Sequence, residues 1–157
     1  MRTSLKSHAA VALVVGLAMF ATAGLAQDKE AQIKARQDFM EAQQKAVNAI
    51  NAYAKGQGDK ATALEKANEL IALAPKIDDH FPPGTSSADF PGKTKAKPEI
   101  FAEWDKAKLM PAKLQDMEKK LVEVINTGTP EQVGEEMRSV YRGGCNGCHG
   151  PYRLPGS

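Results

Sequence analysis

The chain has 157 residues, 42% of them apolar and 25% charged, with 21 Lys and Arg against 19 Asp and Glu. That length makes one domain with room for a buried core, and a mean hydropathy of −0.41 excludes a polytopic membrane protein. Two cysteines cannot build a disulfide scaffold, and a formal charge of +2 gives no argument for nucleic acid as a partner.

The first segment reads as a leader. Arg2, Lys6 and His8 precede an uncharged stretch from Ala9 to Ala23, and Gly24 and Ala26 put small residues at −3 and −1 of a cut before Gln27. The apolar run falls short of the ~20 residues that span a bilayer. We expect residues 1–26 to be a cleaved secretory signal and residues 27–157 to form the working domain in the periplasm. Taking Arg2 and Lys6 away with the leader leaves 19 basic residues against 19 acidic ones.

Four helical runs follow, rich in Ala, Glu, Lys, Gln and Leu and without β-type alternation. The first covers about residues 28–55 and stops at Gly56. Ile33, Met40, Val47 and Ala54 recur every seventh position, with Phe39, Ala46 and Tyr53 in a parallel row and Ile50 close by, so one face is apolar. The second starts after Asp59, a good N-cap, and presents Ala63, Leu64, Ala67, Leu70, Ile71 and Ala74 before Pro75 ends or kinks it. Residues 78–97 then hold three prolines and two glycines with no helical period. A connection of that length between helices reads as a crossover or a functional loop.

The third run begins at Pro98 and carries Ile100, Phe101, Trp104, Leu114, Met117, Leu121, Val122 and Ile125, with Pro111 breaking or kinking it. Its lysines alternate with Asp105, Asp116, Glu118 and Glu123, which reads as a solvated face. The fourth run opens on a capping box, with Thr129 at the N-cap, Pro130 first in the helix and Gln132 three after the cap. Val133, Met137, Val140 and Tyr141 follow, and Gly143-Gly144 interrupts the run. The expected fold is all-α, an antiparallel four-helix bundle with a long loop between helices 2 and 3.

Cys145-Asn146-Gly147-Cys148-His149 is C-x-x-C-H, the attachment signature of a c-type haem. Two thiols spaced by two residues reach the two vinyl groups on one porphyrin edge, and the following histidine reaches the iron. Export agrees with this, because such attachment takes place outside the cytoplasm. A dithiol redox pair would want a preceding strand, and a zinc site would want four ligands where the expected domain offers these three and the distant His80. A plain disulfide is the remaining alternative in an oxidising compartment. The motif lies eight residues from the C-terminus with no Met or His after it, so any second axial ligand comes from an earlier helix. The candidates are Met40, Met110, Met117, Met137 and His80, and Met137 shares the helical run of His149.

Four segments, in order, carry a resemblance. Arg36-Gln37-x-x-Met40, His80-Phe81-Pro82-Pro83-Gly84-Thr85, Lys97-Pro98-Glu99-Ile100-Phe101 and Cys145-x-x-Cys148-His149-x-x-Tyr152-Arg153 are similar to the signatures of cytochrome c′, the class II c-type cytochromes, and of their low-spin relatives. The resemblance implies one covalent haem c held by Cys145 and Cys148, with His149 as proximal ligand. It places Arg153 beside the imidazole, one helical turn on, Arg36 and Gln37 near the haem and its propionates, and Met40 on the distal side. Gly143-Gly144, Pro151 and Pro111 depart from the pattern.

The expected function is therefore an exported monohaem one-electron carrier serving redox partner proteins. It is not an enzyme, since no distal acid–base group stands near Met40. The alternative is a five-coordinate, high-spin protein that binds or sequesters NO or CO, with Met40 only packing over the iron. The resemblance also implies a homodimer through helices 1 and 2, and Val47, Ile50 and Tyr53 are candidates either for that contact or for the core.

Overall fold

The computed structural model describes residues 9–156, with side chains from residue 27 on. The expected leader, 1–26, lies outside the residues whose side chains are described. Seven helices appear among the described residues: α1 (Ala9–Ala54), α2 (Lys60–Leu73), α3 (Glu99–Ala102), α4 (Trp104–Ala107), α5 (Met110–Thr127), α6 (Pro130–Ser139) and α7 (Asn146–Tyr152). Two 3-10 turns, Ala74–Lys76 and Asp78–His80, follow α2. Among the described residues the only β pairing is an isolated antiparallel bridge between Ala96 and Arg153. No helix of the described residues is long and apolar enough to cross a membrane.

Local chemistry sets the helix ends. The Asp59 carboxylate accepts the Thr62 N–H at 2.8 Å and starts α2. Thr129 and Gln132 close a reciprocal capping box at α6: Thr129 N–H donates to Gln132 Oε1 at 2.8 Å, and Gln132 N–H to Thr129 Oγ1 at 3.4 Å. The third run breaks rather than kinks. It becomes the short α3 and α4 and then the long α5, whose first turn takes the buried Pro111 where a missing N–H costs nothing.

α1 packs on α2 and α6, α2 on α5, and α5 on α6 and the segment after it, which closes an antiparallel four-helix bundle. Ala46, Ile50, Ala67, Leu70, Leu121 and Ile125 are among the side chains of its main core. Ile50 is wholly buried there, so of the three candidate dimer contacts only Val47 and Tyr53 keep exposed surface. A second cluster forms around Ile100, Ala107 and Tyr152, with Phe81, Phe101, Trp104, Met110 and Cys148 against it.

Gly143-Gly144 does not interrupt the fourth run. The helix passes through Val140–Cys145 as a π turn, in which the Asn146 N–H reaches back to the Tyr141 carbonyl. The glycines serve close approach: a Cβ on Gly144 would sit 2.6 Å from Leu114 Cδ1, and one on Gly143 would sit 3.0 Å from Met117 Cε. Their missing side chains let α5 lie against the backbone of the turn.

The 81–98 loop is a strap anchored at both ends. Arg36, expected as a haem-side residue, is buried in α1 and holds the loop with four hydrogen bonds: to the His80 carbonyl at 3.2 Å, to Thr85 Oγ1 and the Thr85 carbonyl at 2.8 Å each, and to Thr94 Oγ1 at 2.9 Å. Its guanidinium also lies 4.9 Å from the centre of the Phe81 ring. Gln37 donates to the Lys93 carbonyl at 2.8 Å. At the far end, Lys97 N–H donates to the Tyr152 carbonyl at 2.9 Å and Leu154 N–H to the Lys95 carbonyl at 2.8 Å. The loop thereby ties α1 to the chain end after α7.

Two predictions follow from these contacts. Gly144→Ala should overpack the α5 contact and lower stability by about 1–3 kcal/mol in urea unfolding, whereas Gly147→Ala, with nothing within 4 Å of its Cβ, should be neutral or slightly stabilising. Arg36→Met should cost about 3 kcal/mol, because Thr85 and Thr94 stay buried without their donor. Hydrogen exchange should then show protection lost over residues 85–96 and kept in α5.

Candidate haem-attachment site

The π turn delivers Cys145 to the main core, and α7 carries Cys148 three residues on to the second cluster. An i, i+3 pair shares one helical face. The two half-buried thiols therefore stand together at the junction of the two cores, and both are free. Burial pushes both thiols up, Cys145 with added repulsion from Glu118 and Cys148 with added repulsion from Asp78. They are poor thiolates, unlike the activated cysteine of a dithiol redox pair. Among the described residues no three His, Cys, Asp or Glu side chains come together, so a four-ligand zinc geometry is not built.

His149 follows Cys148 and keeps an exposed surface. The surrounding protein, and then the Arg153 charge, hold its imidazole below the usual histidine range. A neutral ring is the form that binds a metal. Arg153 is not one helical turn further along a helix. It caps α7 in an extended conformation, donates its N–H to the His149 carbonyl at 3.1 Å and pairs with Ala96. Pro151 is accommodated inside α7, and its carbonyl accepts from Lys97 Nζ at 3.1 Å.

A cavity of about 470 Å³ is lined by Asp78, Asp79, Phe81, Pro82, Pro83, Phe101 and Trp104, and its three aromatic residues pack against the same second cluster as Cys148. Ligand pockets commonly fall in this size range and are mostly apolar and aromatic. Burial and the neighbouring Asp79 raise the Asp78 carboxyl. Two free thiols three apart, a neutral histidine beside them and an aromatic-walled cavity fit the demands of a porphyrin joined by two thioethers.

The candidates for the opposite axial position separate by packing. Met137 is buried in the main core, Met117 packs against it beside Gly143, and Met110 packs against the second cluster. His80 stacks on Phe39 with ring centroids 4.1 Å apart. Met40 is half-buried yet belongs to neither cluster, and its Sδ takes a weak contact from Gln43 Nε2 at 3.6 Å.

Glu118 corrects the reading of α5 as a solvated charged face. Its side chain is 2% exposed, and Oε2 has no hydrogen-bond partner. Burial alone pushes its carboxyl up to about 7. The sequence held the signal: Leu114, Glu118, Leu121 and Ile125 fall in one apolar row of α5. A carboxyl whose native pKa is raised binds its proton more tightly folded than unfolded. Its stabilisation is thus complete below about pH 4.5 and lost as pH rises through about 7. The protein should lose on the order of 3 kcal/mol over that interval, and Glu118→Gln should abolish that part of the slope in urea unfolding at graded pH.

A family model described as Cytochrome C′ matches residues 31–153. Among solved structures, a cytochrome c′ from Rhodobacter Spheriodes aligns with TM-score 0.72 and 25% identity over 82% of this chain and 98% of its own. A cytochrome c′ titled for an unusual ligand-controlled dimer dissociation aligns with TM-score 0.70 and 28% identity over 81% and 97%. R. palustris cytochrome c556 aligns with TM-score 0.70 over 80% and 98%, and its 19% identity speaks for the fold alone. A search of curated proteins gave no match. The family match spans all four helices, the strap and the C-x-x-C-H turn, and with it comes a covalently attached c-type haem: this chain belongs to the cytochrome c′ family.

Proposed function

We propose that this chain is an exported, periplasmic one-electron carrier, its haem joined by thioethers at Cys145 and Cys148 and ligated by His149, with Met40 as the second axial ligand. The observation that carries the reading is the pair of free thiols at the junction of two cores, the second of which also packs the aromatic walls of a cavity. A c-type haem supplies a single electron, held or released as the iron cycles between Fe(II) and Fe(III). Arg153 presents a fixed positive charge to His149. Arg36 has one N–H outside its four loop bonds, and with Gln37 it serves the haem carboxylates. Met40 supports ligation because no core packing claims it. The leader over residues 1–26 supports export. The family match supports a haem carrier or binder rather than an enzyme.

One contact favours a second reading. The Gln43 amide already engages Met40 Sδ at 3.6 Å and so competes for its lone pairs; were Met40 only to pack there, the haem would be held by His149 alone and could take NO or CO. The relative with ligand-controlled dimer dissociation supports the same reading and a homodimer; we assign that dimer to α1 and α2, where Val47 and Tyr53 keep exposed surface.

The optical spectrum separates the two. Sharp α and β bands in the reduced protein, unmoved by CO, are expected for Met40 ligation, and Met40→Leu should then yield a high-spin, CO-sensitive spectrum. A broad wild-type spectrum that shifts with CO would overturn the carrier reading in favour of gas binding. Sedimentation with and without CO would show whether that ligand controls a dimer.

A further inference from the structure

Glu118 has no part in the attachment chemistry, yet it lies against the attachment turn. Leu114 and Met117, one helical turn and one residue before it on α5, meet the backbone of Gly144 and Gly143. The two segments run antiparallel there, so Glu118 lies further along α5 than the residues that meet the glycines, yet it shares the buried face that packs on the π turn and is close enough to act electrostatically on the Cys145 thiol. In the haem-bearing protein that sulfur is a thioether with no charge of its own, so Glu118 is a lone buried carboxyl beside the covalent link.

The elements around it supply no countercharge. On α2, Lys66 is held by Glu65 and Glu69 at 3.1 and 2.9 Å, and on α6 Glu136 is held by Lys120 of α5 at 2.8 Å. Asp116 and Lys119 pair on the outer face of α5, and Glu135 pairs with Arg138 on α6. Lys60, Lys76, Glu131, Tyr141 and Arg142 are exposed, and Cys145 is the titratable group that the π turn presents to α5.

We propose that Glu118 is a proton-binding site coupled to the haem: its carboxyl takes up one proton when the protein gains an electron and releases that proton when the electron leaves. The proposal rests on the haem-attachment reading above but is indifferent to whether Met40 ligates the iron. The step balances. A one-electron donor protein supplies the electron, Fe(III) becomes Fe(II), and solvent supplies the proton that turns the carboxylate into a neutral acid. The physical cause is Coulombic: the oxidised group carries one more positive charge and favours the carboxylate, and the reduced group favours the acid. Burial places the exchange near neutral pH, with the carboxyl pushed up to about 7.

The test is the equilibrium reduction potential of the holoprotein by spectroelectrochemistry from pH 5 to 9, for wild type, Glu118→Gln and Glu118→Leu. Wild type should show a potential that falls as pH rises through the neutral range. Each tenfold difference in proton affinity between the two iron states gives a total fall of about 59 mV. Both variants should lose that fall while keeping the wild-type absorption bands. Reduced-minus-oxidised infrared spectra should show a protonated-carboxyl C=O band gained on reduction in wild type and absent from both variants. A flat wild-type potential overturns the proposal without recourse to any variant, and so does a neutral-range slope that survives in Glu118→Gln. Absence of covalent haem bands in the starting spectrum would instead overturn the attachment reading, and this proposal with it.

Discussion

The site depends on how closely one helix approaches one turn. Packed helices usually keep their axes 8–10 Å apart because side chains separate their backbones. At Gly143 and Gly144 that spacer is missing, and Leu114 and Met117 of α5 fill the space a Cβ would need. The close approach costs local helix propensity, up to about 1 kcal/mol per glycine. The π turn adds one residue to the same stretch, so Cys145 enters at a rotation that an unbroken α-helix would not give it. Cys145 then meets the main core, and Cys148 falls toward the second cluster. Tertiary packing on α5 supplies the order that the local sequence withholds.

The second constraint is Arg36, a buried cation without a carboxylate partner. Burial lowers its pKa, although a guanidinium stays charged under ordinary conditions. Two carbonyls, two hydroxyls and the Phe81 ring replace its water. The acceptors all belong to one irregular segment, so solvating the cation also gives that segment a single conformation. From there the Ala96–Arg153 bridge passes the order on to the residues after His149. The long loop is therefore a structural link between α1, which carries Met40, and α7, which carries His149.

The four helices, both caps, the irregular loop and the C-x-x-C-H motif were legible because each rests on local chemistry: apolar period, a side-chain acceptor before a helix, proline and glycine placement. The break at Pro111 was legible as one of two outcomes, and packing of α3 and α4 into the second cluster decided it. Three features escaped because they are tertiary. Gly143-Gly144 reads as an interruption until α5 is seen against it. Arg36 carries no local sign that it also holds the loop, because its four loop acceptors lie 44 to 58 residues away. Glu118 was grouped with a solvated face because neighbouring charges alternate, although its place in the row of Leu114, Leu121 and Ile125 pointed inward.

Glu118 is also where stability and function pull apart. An orphaned buried carboxylate is destabilising by at least the 1–3 kcal/mol of an unsatisfied polar group, and a leucine in that row would remove the cost. A neutral acid is far cheaper to bury than its anion, so the core tolerates Glu118 best when it holds a proton. That makes the residue sensitive to any charge that appears nearby. A unit charge roughly 10 Å away, at an effective dielectric of about 20, changes the balance between acid and anion by about 1.7 kcal/mol, more than one pK unit. An exposed carboxylate would feel little of this, because water and salt screen it. The burial that makes Glu118 a poor core residue is therefore the property that lets it respond to a charge change across the attachment turn.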